Sequence, residues 1–144
     1  MIPSVLDYHL AEKHNSLLNT PPVLAIHLCS LMLKWLEEQF PAGLTAIDVA
    51  ARRKCDTLYA AITATRGRFT CRIDPSFRSR MNVVFHAQSR ELEEAFLKEA
   101  EGLGMIQLRG HRSVGGLRAS LYNSLEWEAV RELSHLLSKF QFPN

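Results

Sequence analysis

Arg68-Phe69-Thr70-Cys71-Arg72-Ile73-Asp74-Pro75-Ser76-Phe77-Arg78-Ser79-Arg80-Met81-Asn82-Val83-Val84-Phe85-His86 is the stretch whose reading decides the fold. From Arg68 to Ile73 polar and apolar residues alternate, the period of a half-buried strand. Asp74-Pro75-Ser76 is turn chemistry: proline presets φ and aspartate bonds back to the backbone. Met81 to His86, with Val83, Val84 and Phe85, predicts a second strand, because β-branched and aromatic side chains suit a pleated surface. So short a connection suits antiparallel pairing.

The helices lie on either side. Ile47, Ala51, Cys55, Leu58 and Ile62 recur at helical spacing, predicting a helix over about Leu44 to Thr65 that Gly67 ends. Ser89 caps a helix carrying Leu92, Phe96, Ala100 and Leu103, which Gly102 and Gly104 close. Met105 to Leu108 and Leu117 to Tyr122 read as two more strands. Asn123 and Glu126 form a capping box for a last helix, with Trp127, Val130, Leu133, Leu137 and Phe140 on its buried face. Upstream, Met1 to Leu18 has no strong period and reads as extended or irregular. Thr20 is placed to cap a helix whose first residue is Pro21, running to about Glu38 and stopping before Phe40-Pro41-Ala42-Gly43. The expected fold is α+β in a single domain: a small, mostly antiparallel sheet of about four strands with helices on one face.

The 144 residues suffice for one real core, and 47% apolar with 22% charged residues is ordinary for a globular chain. A net charge of +2, without aromatics interleaved among the basic residues, argues against a nucleic-acid module. Twelve of the seventeen basic residues are arginine, most of them expected on solvated or salt-bridged faces. Cys29, Cys55 and Cys71 are odd in number and lack CxxC spacing, which argues against a disulfide framework and a structural zinc site and suits a reducing, cytoplasmic setting. The apolar run Val23 to Leu36 falls short of the about 20 residues that span a bilayer. The first residues have no basic region or cleavage pattern, so no signal peptide is expected.

Between the last two strands lies Gly110-His111-Arg112-Ser113-Val114-Gly115-Gly116-Leu117-Arg118, three glycines and three cationic or potentially cationic side chains in nine positions. Glycine lets a backbone approach a ligand closely. Arginine offers a planar fork to carboxylate or phosphate. His111 adds a donor whose charge switches near neutral pH. Two readings follow from spacing: a cradle for a small molecule with two anionic ends, or a surface hairpin whose glycines serve only the turn.

Continued through Ala119-Ser120-Leu121-Tyr122-Asn123, this segment closely resembles the C-terminal signature of phosphoserine aminotransferases. Ser16-Leu17-Leu18-Asn19-Thr20-Pro21-Pro22 resembles a second signature of that family, and Arg78-Ser79-Arg80-Met81-Asn82-Val83-Val84-Phe85 a third, in the right order. The resemblance implies a pyridoxal-phosphate enzyme of the aspartate-aminotransferase fold. Such an enzyme interconverts 3-phosphohydroxypyruvate plus glutamate with phosphoserine plus 2-oxoglutarate in serine biosynthesis. It further implies that Arg118 holds the substrate α-carboxylate and that His111 and Arg112 grip the far phosphate or carboxylate. Asn19 and Thr20 would reach the cofactor phosphate of a neighbouring subunit in a homodimer. Residues 1–43 would join a large domain, and 44–144 would form the small C-terminal domain.

The resemblance also implies a Schiff-base lysine and an acidic partner for the pyridine nitrogen, both upstream of the matched region. None of Lys13, Lys34, Lys54, Lys98 and Lys139 sits in the family's lysine motif. Two expectations stand side by side. The chain is the C-terminal part of a transaminase (a fragment, a truncated product or one piece of a split enzyme), inactive by itself. Alternatively it is a non-catalytic partner or remnant that binds anions or docks onto a subunit carrying the large domain.

Overall fold

The computed structural model describes residues 3–141, which fall into two compact units, Met1–Gly43 and Leu44–Asn144. The first unit contains a 3-10 turn at Ser4–Leu6 and helices α1 (Tyr8–Lys13) and α2 (Val23–Gln39). The lead-in expected to be irregular is therefore partly helical. Asp7 supplies the overlooked signal: its side chain accepts the Leu10 N–H at 3.2 Å and caps α1. Thr20 does not cap α2. The N-cap is Pro22, with no side-chain cap bond. A residue before proline is pushed out of the helical region, so Pro22 keeps Pro21 from starting the helix. Helix α2 buries no residue, and Leu24, Ile26, Leu28 and Leu33 are all more than half exposed.

The second unit runs α3 (Leu44–Ala64), β1 (Phe69–Thr70), a 3-10 turn at Pro75–Phe77, β2 (Asn82–Ala87), α4 (Arg90–Gly102), β3 (Leu117–Ser120) and α5 (Trp127–Lys139). This is the expected α+β architecture with a smaller sheet, three strands in the order β1-β2-β3, both pairs antiparallel. Strand β1 is shorter than Arg68–Ile73 because Ile73 gives its carbonyl to Arg78 Nε at 3.2 Å instead of a ladder. The expected fourth strand, Met105–Leu108, does not form. Met105 N–H bonds back to Ala100 O, and Gln107 takes φ 61°, a left-handed kink that turns the chain out of register. Among the described residues, this segment and the following Arg109 meet β3 through the bridge Arg109↔Leu117 and the bond from Arg118 N–H to Leu108 O.

One sheet face is apolar. Phe69, Val83, Phe85, Leu117 and Ala119 are buried in one cluster with Leu58 and Ile62 of α3, Phe96 of α4 and Leu137 of α5. Phe69, Phe96 and Phe140 meet at its centre, with ring centroids 4.8 to 6.2 Å apart. Helix α4 begins as expected, Ser89 Oγ accepting the Leu92 N–H at 3.2 Å. The Asn123–Glu126 capping box does not form: Glu126 is the N-cap of α5 and makes no side-chain cap bond. The chain from Tyr122 to Leu125 is instead a turn whose carbonyls receive Lys54 Nζ at 2.9 and 2.8 Å.

Candidate functional site

Side chains alternate across a strand, so the residues between the core positions form the opposite face of the sheet. That face carries Thr70 of β1, Asn82, Val84 and His86 of β2, and Arg118 and Ser120 of β3. All but Thr70 are half-buried. Arg118 stands opposite Val84, and Ser120 opposite Asn82, to which its hydroxyl donates at 3.1 Å.

Arg118 departs from the usual pattern of a buried polar group. Its Nε is buried and has no hydrogen-bond partner among the described residues. Most buried donors in folded proteins are paired, and an unpaired one typically costs about 1–3 kcal/mol. No carboxylate pairs with Arg118 or Arg112 among the described residues, whereas neighbouring Arg109 is fully engaged. Both Arg109 terminal nitrogens donate to Glu94 at 2.8 Å, which holds the Glu94 carboxyl below its ordinary pKa. Arg52 and Arg80 share Asp48, Arg53 lies over the Trp127 ring, and Arg78 lies over Tyr59. These arginines are employed structurally.

The 110–116 loop closes through Gly110 N–H to Gly116 O at 2.8 Å and Gly115 N–H to His111 O at 2.8 Å. A side chain at Gly110 would run into the backbone carbonyl of Gly115, so this closure requires glycine there. His111 and Arg112 lie exposed on the loop. Ser113 N–H donates to His111 Nδ1 at 3.3 Å, with Ser113 Oγ 2.7 Å from the same nitrogen. A nitrogen that accepts carries no proton, so the neutral ring keeps Nε2 as its outward donor. Loop and β3 together offer an oriented imidazole and two uncommitted guanidinium groups, suited to carboxylates or phosphates. A cavity of about 480 Å³ borders Arg118 and Ser120, walled by Leu103–Leu108, Leu121 and Leu133.

Asn19 and Thr20 lie in the first unit, exposed between α1 and α2. No group of His, Cys, Asp and Glu that could hold a metal ion occurs among the described residues. No helix there is long and apolar enough to cross a membrane. Lys54 is buried, and burial lowers its pKa, but both its bonds go to the Tyr122 and Leu125 carbonyls. Lys13, Lys34, Lys98 and Lys139 stand exposed on helices. Sequence reasoning missed Lys54 as the clamp of the β3–α5 turn, because its partners lie 68 and 71 residues away.

Residues 3–133 match the family Aminotransferase class-V. The chain is 42% identical over 142 residues to a phosphoserine aminotransferase of Bacillus cereus, covering 99% of this chain and 39% of that relative. The solved phosphoserine aminotransferase of Bacillus circulans subsp. alkalophilus superposes with a TM-score of 0.83 at 41% identity, over 94% of this chain and 37% of that one. A PLP-bound phosphoserine aminotransferase from Trichomonas vaginalis gives 0.82 at 34% identity, over 96% and 39%. The chain thus spans under two-fifths of the relatives it matches. Matched along nearly all of its own length, it belongs to the aminotransferase class-V family.

Proposed function

We propose that this chain carries the substrate-anion-binding segment of a phosphoserine aminotransferase. Its ligands are a phosphorylated amino acid, phosphoserine, and a dicarboxylic one, glutamate. The observation that carries this reading is the unpartnered Arg118 Nε beside a glycine loop presenting His111 and Arg112. Arg118 takes the α-carboxylate, and His111 with Arg112 takes the far phosphate or carboxylate. Asn19 and Thr20 serve the cofactor phosphate of a neighbouring subunit, and segment 44–144 acts as the small domain beside a large one. Pyridoxal phosphate, when bound in the whole enzyme, supplies the electron sink for amino-group transfer. None of the five lysines lies in a stretch resembling the family's lysine motif, which supports the reading that the chain alone does not transaminate. Phosphoserine raises the melting temperature of the chain, and Arg118→Ala abolishes that rise. A flat titration to millimolar ligand, or 2-oxoglutarate formed from glutamate and pyridoxal phosphate at enzymatic rates, would overturn the proposal.

The bare apolar surface of α2 favours a second role, association. The chain pairs with its own copy or with a subunit carrying the large domain, in the cytoplasm. Sedimentation giving a clean monomer at all concentrations would count against self-association.

A further inference from the structure

We infer that His86 is a third ligand-contacting side chain of this site and sets its preference for phosphate over carboxylate; the inference rests on the reading of Arg118 as an anion-binding residue. Phe85 pairs with Leu117 and Val84 with Arg118, so the next position on β2 brings His86 beside Gly116. Phe85 and Leu117 point into the core, which places His86 on the open face with Arg118. His86 and Arg118 are therefore diagonal neighbours, a separation of about 7–8 Å that long side chains bridge.

Gly116 makes room for this histidine. A Cβ built on Gly116 would lie 2.5 Å from His86 Nδ1 and 2.8 Å from Cε1. The imidazole edge rests on the returning leg of the 110–116 loop, two residues nearer His111 and Arg112 than Arg118 is. Neither ring nitrogen has a hydrogen-bond partner among the described residues, although the residue is half-buried. The open face around it, Thr70, Asn82, Val84, Arg118 and Ser120, has no acidic member. A half-buried imidazole among cations and neutral groups, without a partner of its own, is suited to donate to an anion. Its position toward the loop assigns it to the far anionic group. A phosphate offers three oxygens there and a carboxylate two, so the extra donor favours phosphate.

The test titrates the full chain calorimetrically with O-phosphoserine and with glutamate, comparing wild type, His86→Ala, His86→Gln and Arg118→Ala. His86→Ala is expected to weaken phosphoserine about tenfold, the lower end for one charge-assisted hydrogen bond, and glutamate less than about twofold. His86→Gln, which keeps a donor, recovers part of the loss, and Arg118→Ala loses both ligands. In wild type, phosphoserine shifts the His86 Cε1–H resonance. Phosphoserine binding by both folded His86 variants within about twofold of wild type, with Arg118→Ala still defective, overturns the role of His86 alone. Equal loss of both ligands in His86→Ala overturns the phosphate preference. Failure of wild type to bind either ligand, or binding unaffected by Arg118→Ala, overturns the reading of Arg118 and this inference with it.

Discussion

Gly116 has φ +72° and no space for a Cβ, because the His86 ring and Phe85 O occupy it. Gly116→Ala is expected to destabilise the chain by about 1–3 kcal/mol in urea unfolding, from left-handed strain and the clash together. Adding His86→Ala should remove the contact with the ring and leave both the strain and the contact with Phe85 O, so the double variant recovers only part of the loss. Tyr59 offers a second residue-level test. Burial pushes its phenol up to about 12, and its hydroxyl donates to Ser79 O at 3.0 Å. The folded state thus keeps this proton to higher pH than the unfolded chain. Tyr59 contributes stability in full below pH about 10 that is lost as pH rises through about 12. Spectrophotometric titration should show one phenol ionising near 12, absent in Tyr59→Phe. The same side chain was legible in the sequence only as another residue of a helix, since neither Ser79 nor the Arg78 stacked on its ring lies within one helical turn.

At the scale of elements, the caps separate readable signals from unreadable ones. Ser89 was identifiable as the start of α4 because a hydroxyl preceding a periodic apolar run is a local signal, and its bond to Leu92 N–H forms. Ser89→Ala should lower stability by about 1 kcal/mol in chemical denaturation, with α4 fraying first in hydrogen exchange. Thr20 and the Asn123–Glu126 pair were equally good local signals and cap nothing. At Thr20 the second proline of Pro21-Pro22 moved the helix start. At Asn123 the distant Lys54 ammonium draws the Tyr122 and Leu125 carbonyls into a turn. The absent fourth strand has a similar cause, because a left-handed Gln107 cannot be read from a run such as Met105-Ile106-Gln107-Leu108.

On the scale of the whole molecule, the buried cluster lies within Leu44–Asn144. That segment produced alone is expected to unfold in one cooperative transition, and Phe96→Ala within it to cost about 3–5 kcal/mol. The full chain, with α2 uncovered, should self-associate in sedimentation at concentrations where 44–144 stays monomeric. A monomeric full chain, or a 44–144 segment that melts without cooperativity, would contradict these expectations. The sequence by itself determined the order of α2, α3, β1, β2, α4, β3 and α5, the apolar stripes of α3, α4 and α5, and the glycine–arginine loop. Each of these is written in neighbouring residues at a period of two or of 3.6. Only the tertiary structure decided which arginines are spent and which are left: Arg109 is held by Glu94, Arg52 and Arg80 by Asp48, while Arg118 has no partner among the described residues. It likewise decided that His86 rests on Gly116, thirty residues further along the chain. The physical reason is that strand register and helix docking, which bring such residues together, are set by burying the core as a whole and leave no local mark in the chain.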